Sequence, residues 1–152
     1  MSNHAGAKSI LSVVLAPALV DQSAANTTGA AIDMQGYDRV RFIYQLGGIV
    51  NGGSLSTWAI ESNESNLGNA TNITHANNSS NQAALVNVTN AYNNTVQVLD
   101  IHRPSKRYVS VTVDAVTANI TLLGVVAERI RGTGNMPISQ TTGAQYVSVQ
   151  AN

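Results

Sequence analysis

The chain has 152 residues, a size that forms one domain with a real core, and 43% of them are hydrophobic. Charged residues make up only 11%, less than half the usual share of about a quarter, and the formal net charge is zero. Eight Lys and Arg matched by eight Asp and Glu leave no basic footprint for nucleic acid. The absence of cysteine excludes disulfide scaffolds, thiol nucleophiles and cysteine-ligated metals, and no run approaches the ~20 apolar residues of a membrane-spanning helix.

Residues 1–9 are small and polar and read as an extended arm. Ile10 to Leu15 is the first predicted strand, and Pro17 ends it or marks an edge. Residues 1–25 share features with a secretory signal, with Lys8 ahead of an apolar run, but Ser12 and Pro17 interrupt that run. Many Asn-x-Ser/Thr triplets follow, as expected by chance in a chain so rich in Asn, Ser and Thr. After a polar loop, Asp21 to Ala30, comes a strong strand, Arg39 to Leu46. Val40, Phe42, Tyr44 and Leu46 share one of its faces. Glycines at 47, 48, 52 and 53 break the chain before Leu55 to Ser62, which places Trp58 and Ile60 on one face; the two strands predict a hairpin.

Asn63 to Asn81 reads as a long surface loop of Asn, Ser, Thr and Ala. Ala83 to Thr89 and Thr95 to Ile101 are weaker strands. The clearest signal is Lys106 to Glu128. Val109, Val111 and Val113 alternate with Ser110, Thr112 and Asp114, and the almost wholly apolar run Ile120 to Ala127 follows with both faces expected to be covered. These two segments predict a central hairpin turning over Ala115 to Asn119, with Val109, Val111, Leu123, Val125, Phe42 and Trp58 in the core. Residues 133–152 hold too few large apolar groups to fold alone. The expected class is all-β, a single β-sandwich or jelly-roll-like domain over residues 10–131, with extended arms at 1–9 and 132–152. The arms are expected to lie across a neighbouring subunit and add a strand to its sheet edge.

The residue patterns offer little chemistry. His4, His75 and His102 lack the spacing of a metal site. Asp100 and His102 stand two residues apart near many serines, but no nucleophile elbow accompanies them. Glu61 and Glu64 after Trp58 match a paired-carboxylate sugar site only loosely. No catalytic role, cofactor or metal is expected. The basic cluster His102-Arg103-Pro104-Ser105-Lys106-Arg107 would meet Arg129 and Arg131 at one edge if the hairpin pairs. Arg103, Lys106, Arg107, Arg129 and Arg131 form a candidate patch for an acidic partner, with Met136, Ile138 and Tyr146 as arm contacts.

Three segments carry a resemblance: Ile32-Asp33-Met34-Gln35-Gly36-Tyr37-Asp38-Arg39-Val40, Thr57-Trp58-Ala59-Ile60-Glu61-Ser62, and Lys106-Arg107-Tyr108-Val109-Ser110-Val111. In that order they resemble the head decoration, or cement, proteins of tailed bacteriophages. In that group a Gly-Tyr/Phe-Asp turn opens a strand, an aromatic strand ends in Glu-Ser, and a Lys-Arg-Tyr start precedes the last hairpin. The resemblance covers roughly residues 31–131; the Asn-rich stretch from 63 to 95 departs from it by being longer and more polar. It implies a non-enzymatic virion protein on the outer capsid surface, made in the host cytoplasm. Its partners would be the major capsid protein and further copies of itself, with a trimer as the first expectation. A tail, neck or fibre component and a secreted carbohydrate-binding module are the competing readings.

Overall fold

The computed structural model describes residues 9–21, 26–75, 78–131 and 146–150. In chain order the strands are β1 (Ser9–Leu15), β2 (Ala18–Val20), β3 (Thr27–Thr28), β4 (Ile32–Asp33), β5 (Arg39–Ile49), β6 (Ser54–Ser62) and β7 (Thr71–Asn72). They continue with β8 (Thr74–His75), β9 (Asn78–Gln82), β10 (Ala84–Thr89), β11 (Val96–His102), β12 (Tyr108–Val116), β13 (Ile120–Ile130) and β14 (Tyr146–Gln150). The one helical turn among the described residues is a short 3-10 turn at Asn90–Tyr92. The chain is an all-β sandwich of two packed sheets. The first runs β1-β13-β5-β11-β14, with β2 also on β13; the second runs β10-β6-β12-β3, with β4 on β12 and β7 on β6.

The two expected hairpins are arches between the sheets. β5 lies in the first sheet and β6 in the second; β12 lies in the second and β13 in the first. The arches stack strand for strand, β5 on β13 and β6 on β12, all antiparallel. The second connector lacks hairpin residues, whereas the first carries Asn51-Gly52 and forms an arch all the same. A two-residue hairpin favours residues such as Asn-Gly that accept positive φ. The β12–β13 connector has no glycine, and Thr117 alone takes a left-handed conformation (φ +74). Where the corners touch, a Cβ on Gly53 would sit 3.0 Å from the Ala118 methyl, so a larger residue there would press the two corners apart by a few tenths of an ångström.

Apolar side chains from both sheets fill the space between them. Phe42, Tyr44, Leu46, Leu99 and Leu122 are buried, as are Val109, Val111 and Val113 opposite. A polar link joins the sheets within the core. Thr57 Oγ1 donates to the Thr112 carbonyl at 2.8 Å, so its other contact, at 2.9 Å, is the Tyr44 hydroxyl donating to it. Burial pushes the Tyr44 phenol well above its ordinary value.

Leu123 and Trp58, expected in the core, are not in it. Leu123 is 47% exposed because the register slips between Leu122 and Gly124. Gly124 takes φ +135, the extra residue resets the alternation, and Leu122 and Val125 point inward instead. β13 therefore has one partly open face rather than two covered ones. Trp58 is half-buried on the outward face of β6, because Leu55, Thr57 and Ala59 take the inward positions. The Asn-rich stretch is not wholly a surface loop. Ile73 is buried in the core, its N–H donates to the Ala59 carbonyl at 3.0 Å, and its own carbonyl accepts from Ala83 N–H at 2.7 Å.

Of the expected arms, residues 1–8, 132–145 and 151–152 lie outside the described residues. Ser9 opens β1, and Tyr146–Gln150 forms β14 beside β11 of the same chain.

Val111→Ala should lower stability by about 1–3 kcal/mol in denaturant melts, from lost transfer energy plus a small cavity. A change within about 0.5 kcal/mol would show that this face is not packed as described.

Candidate functional site

Positive charge among the described residues is gathered at one end of the sandwich. β5 starts there, β6, β11 and β13 finish there, and β12 starts there. Every Lys and Arg among the described residues lies at this end: Arg39, Arg41, Arg103, Lys106, Arg107, Arg129 and Arg131. The connectors at the opposite end, Val50–Gly53 and Thr117–Asn119, carry no charge. A packed apolar core gives a charge no place unless it is paired, so the few charges collect where strands end in water.

Asp100 anchors this end. It lies on β11 with no exposed surface, and Arg39 Nε donates to its two oxygens at 2.8 and 3.1 Å. Arg39 Nη2 forms a further short ion pair with it, and Arg41 Nε adds a donor at 3.3 Å. Arg41 Nη1 reaches Glu128 Oε2 on β13 at 3.5 Å. The chain of pairs thus runs over three adjacent strands, β11, β5 and β13. His102 Nε2 stands 3.6 Å from Asp100 Oδ1, too long for a hydrogen bond. Burial pushes the His102 imidazole below its ordinary value, against the pull of Asp100. The Asp100–His102 pair noted in the sequence therefore meets in space, with the carboxylate occupied by arginines.

The loop from Arg103 to Arg107 is fixed from two sides. Glu61, buried at the end of β6, accepts from Ser105 N–H at 2.8 Å and Lys106 N–H at 3.3 Å, and the Ser105 hydroxyl also donates to it. Asp33 accepts from Arg107 Nε at 3.0 Å and Nη2 at 2.8 Å in a two-pronged pair. Arg103 takes a left-handed conformation (φ +52), held by its N–H on the Asp38 carbonyl at 2.6 Å. Lys106 Nζ donates to Thr71 Oγ1 at 2.7 Å.

Arg129 and Arg131 reach the same end from the first sheet. Arg129 Nη1 donates to the Asp33 carbonyl at 2.8 Å, crossing the mouth of the sandwich. The guanidiniums of Arg129 and Arg131 stand 5.0 and 5.5 Å from the Tyr37 ring centre, within cation–π range. The five basic residues singled out in the sequence thus share one end. Hairpin pairing is not the cause, since β12 and β13 are in different sheets; the turn from Asp33 to Asp38 gathers them. Between this turn and the loop lies an open cavity of about 430 Å³, lined by Met34, Gln35, Tyr37, Asp38, Arg103, Pro104, Lys106 and Arg107. Met136 and Ile138 lie outside the described residues, and Tyr146 begins β14.

Asp33, Tyr37 and Glu61 were not among the expected site residues, though each stands in one of the three resembling segments. Those segments meet here. Tyr108 pairs with Asp33 on one side and with Ser62 on the other. Glu64, the second carboxylate after Trp58, accepts from Asn69 Nδ2 at 2.6 Å. Among the described residues, no group of three or more His, Asp or Glu is placed to hold a metal ion, and no helix is long and apolar enough to cross a membrane. Compared with known proteins, the chain matches no family model and no curated sequence.

The hydrogen bonds from Arg107, and then from Gln35 N–H, hold the Asp33 carboxyl at about 2, below its ordinary 3.8. A lowered carboxylate stabilises the folded state above its ordinary value, and that contribution is lost as pH falls through about 2. An NMR titration should place Asp33 near that midpoint, and Arg107→Ala should return it toward 3.8. A wild-type midpoint already at 3.8 would mean that the pair is not formed in solution.

Proposed function

We propose that this protein is a structural component of a virion, a capsid decoration protein that binds the outside of a phage head across coat-subunit boundaries and acts without catalysis. The observation that carries the reading is the convergence of the three resembling segments. They are separated in sequence, yet Asp33 and Tyr37, Glu61 and Ser62, and Lys106 to Tyr108 together build one rigid end of the domain. A shared motif set that shapes one surface fits a docking role better than a scattered set of strand-forming residues would.

The composition supports the same reading. A neutral, amide-rich surface lets many copies crowd on one particle without mutual repulsion. A shell under pressure from packaged DNA fails at contacts between capsomers. A clamp across those contacts raises the cost of opening them, because opening must also break the clamp's own interfaces. Each such interface buries roughly 800 Å² per partner. Stabilisation follows mass action, since only the intact lattice presents the whole site. In this reading the partners are the major capsid protein and further copies of the chain, with a trimer as the first arrangement to test. Arg103 and Lys106, at the cavity beside Tyr37, meet acidic coat residues.

The test compares heads with and without the protein for DNA release on heating or chelation. Decorated heads should hold DNA to higher temperature, and Arg103→Glu with Lys106→Glu should weaken rebinding on the order of tenfold or more, about 1.4 kcal/mol. Naked heads that hold DNA equally well and do not take the protein back would contradict the proposal.

A further inference from the structure

We infer that the outer edge of β11 is an exchange site between copies of this chain, filled in the assembled protein by Tyr146–Gln150 of a neighbouring copy. This inference deepens the oligomeric part of the reading above, but it concerns the isolated protein and stands or falls without a capsid.

Three observations point to it. First, β14 forms the one parallel ladder among the described residues; the others are antiparallel. Antiparallel neighbours are joined by short turns, whereas a parallel neighbour must be reached by a crossover or from outside. Second, the strand is placed far from where its chain leaves the sandwich. β13 ends beside the start of β5, with Ile130 opposite Arg39. β14 begins opposite Val98 and runs back to the same end, where Gln150 opposes His102. Closing within one chain means passing β5 and β11, a shift of about 14 Å sideways and about 13 Å along the strands. Third, the connection is long enough to serve a crossover within the chain or to reach beyond its own body. Residues 132–145 separate Arg131 from Tyr146, and fourteen residues reach on the order of 45 Å when extended.

A tail with that reach finds the β11 edge of an adjacent copy as readily as its own. The backbone bonds made are the same in both cases, so exchange forfeits no pairing and adds whatever contact the two bodies make. β14 meets its sheet through β11, and its other main contact among the described strands is with β8, so little ties it to its own body. A closed ring of copies fills every β11 edge, which suits a small symmetric oligomer.

The chain has no cysteine, so engineered pairs report cleanly. One variant carries His102→Cys with Gln150→Cys, and a second carries Val98→Cys with Tyr146→Cys; both pairs are directly opposed in the ladder. Opposed strand positions lie about 5 Å apart, within disulfide range. Each variant is oxidised as an equal mixture of isotopically light and heavy copies, then separated under denaturing, non-reducing conditions. The second pair keeps the test alive if the first variant fails to fold. Exchange predicts covalent multimers that contain light and heavy chains together. It also predicts that deletion of 133–152 leaves the β-domain folded by circular dichroism and lowers the oligomer to monomer mass. Disulfides closed only within single chains, no disulfide in a folded variant, or an unchanged oligomer after deletion would overturn the inference.

Discussion

A buried carboxylate sets the frame at the charged end. Asp100 has no exposed surface, and Arg39 and Arg41 beside it make its charge tolerable there. Removing one partner of a buried pair strands the other's charge, typically at a cost of ~3–5 kcal/mol. The same pairs fix register. Asp100 stands opposite Arg41 in the β5–β11 ladder and beside Arg39 one row on. A slip of one residue would send the carboxylate to the core face and Leu99 to the outside. From this fixed strand end the chain continues through His102 into the Arg103–Arg107 loop, so the placement of the candidate surface inherits the placement of Asp100.

The rest of the domain is nearly free of charge, and its coherence comes from packing. Two stacked arches press apolar side chains of both sheets together, with the Tyr44–Thr57–Thr112 link as a polar tie between them. The result is a neutral body with one polar, well-braced end. Its loop is held by Glu61 from the second sheet, and Arg129 spans from the first sheet to Asp33. A braced end loses little freedom when it docks, which favours binding by a preformed surface. This body plan suits an adhesive structural role of the kind proposed.

Much of the fold was legible in the residues because a strand writes its faces with a period of two. The face-sharing sets Val40-Phe42-Tyr44 and Val109-Val111-Val113 follow from alternation, and both sets lie inward. Sheet membership does not, because a hairpin and an arch join the same two strands with the same alternation. Alternation also leaves open which face looks inward, and on β6 Leu55, Thr57 and Ala59, not Trp58, took the core. A single glycine reset the phase of β13 and exposed Leu123. Ile73 carried a weak signal, as the one isoleucine in an Asn-rich run. Of the candidate site, the basic residues were visible as a cluster. Their acidic and aromatic partners Asp33, Glu61 and Tyr37 became visible only once distant segments were folded together.

The claim that Asp100 is fully occupied by its arginines is tested most directly at His102, which stands beside it. A free carboxylate at that distance would stabilise the imidazolium and raise its titration. A carboxylate already neutralised by two guanidiniums leaves burial as the larger effect, and the imidazole is held below its ordinary 6.5. The unfolded chain then takes up a proton that the folded chain refuses, so stability is full above 6.5 and declines as pH falls below it. The measurement is the NMR pH titration of the His102 ring, assigned by its loss in His102→Gln. A midpoint below 6.5 is the predicted result; a midpoint at or above 6.5 would contradict a closed Asp100–Arg39–Arg41 cluster.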